Sequence, residues 1–426
     1  MSTLPLRVCF HCLFAYPLFD ARSTRLFGGA EVRASYFARE LARRPGLQVH
    51  FMVADEGQPP CQVFDGVTVF VDPDNPYLSE RFFENAYAGY LACCDPQPSF
   101  PYFRIQTWRA ALLWQLPALA FHRLCYLPWR RRVHRRPRPV PASLPQAFEV
   151  YCLFHINETT ADIIAACRSE GGPKTIVFLI HDIDVDDDPS AGSERLSPRA
   201  FALKNADLIV AQTQVQVDRL RQRFQRDALV IRNPIELAVP EHHAETPRNV
   251  ALWIGRSQRD ASFHKRPDVL FELARLCPDI AFLAILNPDD PVHFKELMRE
   301  RPDNVEVVEK VPFAEMDAVF ARTRLFINTS GSEGFPNTFL QAGKHSVPIV
   351  SLAVDPGGML SQHGAGIACG GDLALMAREL KRLWADSQAL RDLGRHARIY
   401  VERFHDIRHS GDALEAALQA LCQAPS

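Results

Sequence analysis

At 426 residues the chain is long enough for two domains, each with its own core. A content of 47% hydrophobic and 23% charged residues excludes a disordered or fibrous chain and fits a soluble globular protein. A net charge of −2 leaves no nucleic-acid footprint on the chain as a whole. No apolar run reaches the ~18–20 residues of a membrane span. Residues 1–7 lack the charged-then-apolar layout of a signal peptide. Eleven cysteines are scattered without framework spacing, as in a reducing cytosol, so a cytoplasmic location is expected.

The first predicted strand covers residues 8–13, and Cys9-x-x-Cys12 lies inside it rather than at a helix start, which argues against a redox or metal role. A loop over 22–29 then leads into a helix over 30–43. Gly28 and Gly29 sit at that junction, where two glycines let a backbone approach a phosphate or sugar without a Cβ clash. Residues 49–53 and 67–71 read as strands. The stretch 94–146 breaks the alternation with Pro, Arg and aromatic residues, among them Trp108, Trp114 and Trp129. Its basic cluster, Arg130 to Arg136, together with the aromatics over 100–136, reads either as an interfacial segment for an anionic membrane surface or as a helical insertion with a solvated tail.

Strands follow over 148–154, 175–180, 208–211 and 229–231. His155 and His181 close the first two of these. Beyond Pro234 and a polar stretch over 240–248 the pattern restarts, with strands over 250–254, 280–286, 305–311, 325–328 and 348–352. Apolar strands alternating with helices indicate parallel sheets covered on both faces. The expected fold class is α/β, with two Rossmann-like domains facing a cleft. Their bounds are 1–238 and 249–405, and a helix over 406–426 is expected to pack back on the first domain. Ligands of such sheets bind at the carboxyl ends of the strands.

The strand over 325–328 runs into Ser330-Gly331-Ser332-Glu333-Gly334-Phe335-Pro336-Asn337-Thr338 and then a helical segment. A helix N-terminus offers free N–H groups to an anion such as a diphosphate. Gln341, eight residues after Glu333, is expected on roughly the same helical face. The segment, with Pro348-Ile349-Val350-Ser351 beyond it, resembles the E-x7-E region of GT4-like retaining GT-B glycosyltransferases, except that the second acid is Gln341. Gly28-Gly29-Ala30-Glu31 is similar to the GG-x-E entry of the same enzymes. Gly255-Arg256 and Lys265 resemble their Gly-Arg and Lys, with 258–264 inserted and Arg266 in place of the usual Gly.

The resemblance implies a GT-B fold and transfer of a sugar from a nucleotide-diphosphate donor to a glycan or lipid-linked acceptor. It implies that Arg256, Lys265, Gly28 and Gly29 and the turn Gly334, Phe335, Pro336, Asn337 meet the donor, and that Gln341 bonds the ribose. Glu333 and His181 are the expected catalytic residues, near the donor sugar, and His155 is a weaker candidate. Fixed cations suit a leaving diphosphate that gains charge as the glycosidic bond breaks. No cofactor and no metal is expected. Asp182 to Asp188 contains a D-x-D, which in GT-A enzymes holds a divalent cation on the diphosphate. The double Rossmann pattern and the Arg/Lys pair favour a solvated acidic loop instead. Two other classes stay open: a GT-B-fold sugar-nucleotide epimerase or hydrolase, and a non-catalytic partner in a glycan-assembly complex.

Overall fold

The computed structural model describes residues 5–23, 25–71, 148–168, 172–187, 197–239, 247–257 and 265–423. The aromatic and basic stretch 94–146 and the inserted 258–264 lie outside them. In the first domain eight described strands form one sheet: β1 (Leu6–His11), β2 (Leu47–Val53), β3 (Cys61–Phe64), β4 (Val67–Val71), β5 (Val150–Leu153), β6 (Lys174–Phe178), β7 (Leu208–Ala211) and β8 (Leu229–Val230). Their spatial order is β3-β4-β2-β1-β5-β6-β7-β8. All pairings are parallel except β3 with β4, which are joined by a tight turn at Asp65 and Gly66. Both turn residues have positive φ, 50° and 83°, as a two-residue hairpin requires.

The central strands are apolar on both faces because helices cover both sides. Those helices are α1 (Gly29–Ala42), α2 (Glu158–Cys167), α3 (Pro198–Asn205) and α4 (Gln214–Phe224). Asn157, Ser197 and Thr213 cap the last three, each accepting from a backbone N–H three residues on.

The second domain repeats the plan with β9 (Val250–Arg256), β10 (Phe282–Asn287), β11 (Val305–Val308), β12 (Thr323–Asn328), β13 (Ile349–Ser351) and β14 (Gly366–Ala368). Their order is β11-β10-β9-β12-β13-β14, and every pairing is parallel. The helices are α5 (Pro267–Leu276), α6 (Pro291–Glu300), α7 (Met316–Ala321), α8 (Asn337–Lys344), α9 (Leu373–Ala385) and α10 (Ser387–Phe404), followed by α11 (Ile407–Gln423). The two-fold α/β plan is the one the alternation predicts. The strand expected over 305–311 stops at Val308, because Pro312 starts a helical turn and Val311 has left the ladder.

The last helix crosses back to the first domain. Leu414 and Leu418 of α11 are fully buried in the same cluster as Phe37 and Leu41 of α1. Arg44 binds Glu415 at 2.7 Å and Glu40 at 2.9 Å alongside them. The two interdomain connections lie side by side: Ile235 N donates to His405 O at 2.9 Å and Ile407 N to Ile235 O at 3.1 Å.

Helix α8, which carries Asn337 and Gln341, packs tightly on α10. A Cβ on Gly343 would overlap a methyl of Val401 and lie 2.9 Å from the Ala397 carbonyl oxygen. Forcing an added carbon into a packed interior typically costs about 1–3 kcal/mol. Gly343→Ala should therefore lower the unfolding free energy by an amount in that range, read as a lower denaturant midpoint at an unchanged slope. An unchanged midpoint would show that α8 and α10 do not pack this closely.

Candidate functional site

The site lies where the carboxyl ends of the two parallel sheets meet. Arg256 is the last residue of β9. Its Nη1 donates to Asp289 at 3.1 Å and its Nη2 to the carbonyl of Phe27 at 2.5 Å, so it reaches across to the first domain. There it lies over the Gly28-Gly29 turn: a Cβ on Gly28 would be 3.2 Å from Arg256 Nη2 and 3.0 Å from Glu31 Oε2. A side chain at this position would crowd both groups, so glycine eases the approach between the domains.

Lys265 and Glu333 form the half-buried centre. Glu333 Oε1 accepts from Lys265 Nζ at 2.6 Å, from Ser330 Oγ at 2.5 Å and from Asn328 Nδ2 at 3.1 Å. The Glu333 side chain is only 11% exposed. Burial opposes its ionisation, but the Lys265 charge and the donated hydrogen bonds outweigh it and hold the carboxyl below its usual range. Lys265 is placed by its surroundings. Gly255 lets its backbone in, since a Cβ there would be 3.0 Å from Lys265 Cβ and would overlap the Trp253 ring. Thr329 Oγ1 donates to Lys265 O at 2.5 Å and accepts from Trp253 Nε1 at 2.8 Å. Arg266, next in the chain, has φ +52°, a left-handed conformation in which glycine is the easy residue. Arg266 stands where the family pattern has glycine and adopts a backbone conformation that glycine takes without strain.

The turn after Glu333 docks on the first domain. Phe335 N donates to Gln212 Oε1 at 2.8 Å, and Asn233 Nδ2 donates to Phe335 O and Asn337 Oδ1, both at 3.0 Å. Asn337 Nδ2 donates to Gly29 O at 2.7 Å. Gly334 leaves room for the carbonyl of Ile180, which a Cβ would approach to 2.7 Å. Helix α8 starts only at Asn337, with Pro336 as its N-cap. The expectation that Glu333 and Gln341 share a helical face is therefore corrected: Glu333 belongs to the loop, and Asn337 is the residue one turn before Gln341. Gln341 is half-buried and its side chain makes no hydrogen bond among the described residues.

His181 follows β6, half-buried, and its backbone N–H donates to Asp184 Oδ2 at 2.8 Å. Asp184 also accepts from Ile180 N at 2.7 Å, and Asp182 accepts from Gln216 Nε2 at 3.1 Å. These two acids of the D-x-D are thus engaged in holding the loop. Gln216 in turn accepts from Gln212 N at 2.8 Å, so a polar chain runs from the acidic loop to the turn at Phe335. Sequence reading did not single out Gln212, Gln216, Asn233 or Asp289.

His155 is more firmly built in than its place at a strand end suggests. Its φ is +64°, and its Nε2 meets Glu31 Oε1 at 2.6 Å. Glu31 Oε2 accepts from Gly28 N at 2.7 Å. Burial works against the Glu31 charge, but His155 and its hydrogen bonds hold the carboxyl down to about 2, and the imidazole is raised in return. Cys12, Glu31 and His155 offer donor atoms within 4.8 Å of one another. Burial drives the Cys12 thiol far above its ordinary range, so the group reads as an ion pair beside a protonated thiol.

Residues 248–386 match the model of a family described as glycosyl transferases group 1. With two parallel sheets facing one cleft, the architecture is that of the GT-B glycosyltransferases. Solved structures similar to the chain share it. A sucrose-phosphate synthase of Thermosynechococcus elongatus is 13% identical, with a TM-score of 0.66 over 98% of this chain and 99% of that one. HepE of Anabaena, solved with UDP and glucose, is 16% identical, with a TM-score of 0.63 over 97% and 100%. An α,α-trehalose 6-phosphate synthase of Burkholderia multivorans is 13% identical, with a TM-score of 0.61 over 100% of both chains. No curated protein sequence matches the chain.

Burial also keeps two histidines near the site neutral. His405 Nδ1 lies 2.7 Å from Asn233 O, its ring packs on Phe335, and its pKa is lowered to about 3. His11, at the end of β1, is lowered to about 4, and neither ring nitrogen has a partner among the described residues. The unfolded chain takes up these protons as pH falls through about 6.5, while the folded chain does not, so stability falls with falling pH across that window. His11→Phe removes one such proton and loses no hydrogen bond. Melting curves from pH 7 to pH 4 should show a shallower decline for His11→Phe than for the unaltered chain. Parallel declines would mean that His11 is protonated in the fold.

Proposed function

We propose that the chain is a retaining, metal-independent hexosyltransferase of the GT4-like class. It moves a sugar from a nucleotide-diphosphate donor to a hydroxyl of a glycan or lipid-linked acceptor in cell-surface polysaccharide or lipopolysaccharide synthesis, in the cytoplasm. The observation that carries this reading is the half-buried Lys265–Glu333 pair, in the domain whose Arg256 reaches across to the carbonyl of Phe27 beside the Gly28-Gly29 turn. The match of residues 248–386 to glycosyl transferases group 1 supports the donor class, as does a similar fold solved with UDP and glucose. Peripheral attachment through residues 100–136 belongs to the proposal and rests on the sequence alone.

Arg256, Lys265 and the first turn of α8 would neutralise the diphosphate, whose charge grows as the bond to the anomeric carbon breaks. Glu333 would face the donor sugar and offset the positive charge that develops there. Attack and departure take place on the same face, and the leaving phosphate oxygen accepts the acceptor's proton. His181 would contact the donor sugar, and Gln341 would bond the ribose hydroxyls through its amide, which offers donors and an acceptor without charge.

If protein cations meet the diphosphate, turnover with a panel of sugar nucleotides should persist in EDTA. Arg256→Ala should lose about 2–4 kcal/mol of transition-state stabilisation, read from kcat/KM. Activity abolished by EDTA and restored by Mn²⁺, with Asp184 essential, would sink the proposal. Hydrolysis of the donor without acceptor dependence would assign a hydrolase, and no turnover at all a binding partner.

Gln341→Ala should raise the donor KM by the equivalent of about 1–2 kcal/mol with little change in kcat, as expected for lost neutral hydrogen bonds. Gln341→Glu should be tolerated. A strong loss of activity in the Glu variant would give Gln341 a different partner.

A further inference from the structure

A second basic site lies at the opposite end of the second sheet. A hollow of about 510 Å³ is lined by Arg248, Arg324, Arg391, Arg395 and Arg398, with Glu402 as its acid. It sits at the amino end of β12, where Arg324 is the second residue, and just past the carboxyl end of α8. The cleft is at the other end of both elements. A chain with net charge −2 has thus gathered five arginines against one glutamate around a single hollow.

The arginines are held rather than loose. Arg391, Arg395 and Arg398 follow an i, i+4, i+7 spacing that puts them on one face of α10. Arg398 Nη1 donates to Lys344 O at 2.6 Å and Leu237 O at 3.1 Å, and its Nε to Glu402 at 2.6 Å. Arg248 donates to His345 O at 2.8 Å and Ser346 O at 3.2 Å. Arg324 Nη2 donates to Trp384 O at 2.9 Å and Ser387 Oγ at 3.2 Å, and its Nε is buried with no acceptor among the described residues. Arg391 donates to Gln388 at 2.6 Å and Arg395 to Asp392 at 3.3 Å. A guanidinium carries five donors; Arg395 and Arg398 are paired with Asp392 and Glu402, while the bonds of Arg248, Arg324 and Arg391 go to neutral oxygens, so these three keep their charge and every fork keeps further N–H groups.

We propose that this hollow binds a small phosphate-bearing anion of two or more negative charges. The forks of Arg248, Arg324 and Arg398, anchored on backbone carbonyls, are pre-organised for phosphate oxygens and lose little freedom on binding, and Arg391 and Arg395 add exposed charge from α10. The volume lies in the range of small-molecule sites. A single negative charge would be held weakly by groups this exposed, whereas several charges on one ligand engage several forks at once. The same chemistry is offered by a free phosphorylated metabolite and by an anionic lipid headgroup.

The test is calorimetric titration of inorganic pyrophosphate into the full chain. The Arg256→Ala/Lys265→Ala chain removes cations from the cleft, and it should still bind pyrophosphate. Adding Arg391→Ala and Arg395→Ala, both exposed on α10, should weaken that binding by about tenfold or more, with circular dichroism unchanged. Binding should also weaken at high salt. No binding in the cleft variant, or equal binding after the α10 substitutions, would overturn the proposal. Co-sedimentation with phosphatidylglycerol vesicles separates the sources: loss of vesicle binding on the α10 substitutions identifies a headgroup, and recovery in the supernatant throughout identifies a free phosphate.

Discussion

The carboxylate of Glu333 constrains everything around it. An ionised carboxyl at the bottom of a cleft is costly unless it is paired and hydrogen-bonded. Lys265, Ser330 and Asn328 supply that pairing within 3.1 Å. Each of them has its own requirement. Lys265 needs Gly255 beneath it and Thr329 on its carbonyl, and the next residue, Arg266, turns into the left-handed region. Ser330 and Asn328 must lie at the end of β12, so the strand, the turn and the start of α5 are fixed together. A negative group held in this way keeps its position without the reorganisation that water would need.

The same turn ties the domains together. Phe335, Asn337 and Arg256 from the second domain meet Gln212, Asn233 and the carbonyls of Phe27 and Gly29 from the first. Residues expected to meet a donor are therefore also the residues that hold the cleft. The paired crossings at Ile235 and His405–Ile407 lie close behind, and His405 packs on Phe335 itself. Geometry at the turn and the relative position of the two sheets are thus coupled through one set of contacts.

The far end of α8 has a different character. Its carboxyl end meets arginines, as the negative end of a helix dipole favours. Arg248 and Arg398 satisfy the carbonyls of Lys344, His345 and Ser346. One short helix thus has the interdomain cleft at its start and a cluster of cations at its end.

The alternation of apolar strands and helices was legible because burial on both faces of a parallel sheet leaves continuous apolar runs. The motif at 330–341 was legible because a tight turn demands Gly and Pro and a buried charge demands few residue types. The hairpin at Asp65-Gly66 was written in the sequence but is short, and β14 has only three residues, too few for a period to show. The sequence by itself determined the two-fold α/β plan, and it singled out Glu333, Arg256 and the Gly28-Gly29 turn as candidates. Only the tertiary structure decided that α8 begins after Glu333, that Lys265 is its partner, and that His155 is locked to Glu31. It also brought in Gln212, Asn233 and Asp289, which carry no local signature. Their roles arise from meetings between residues more than 30 positions apart, and loop polar residues look alike until the fold brings a carbonyl or a charge within reach.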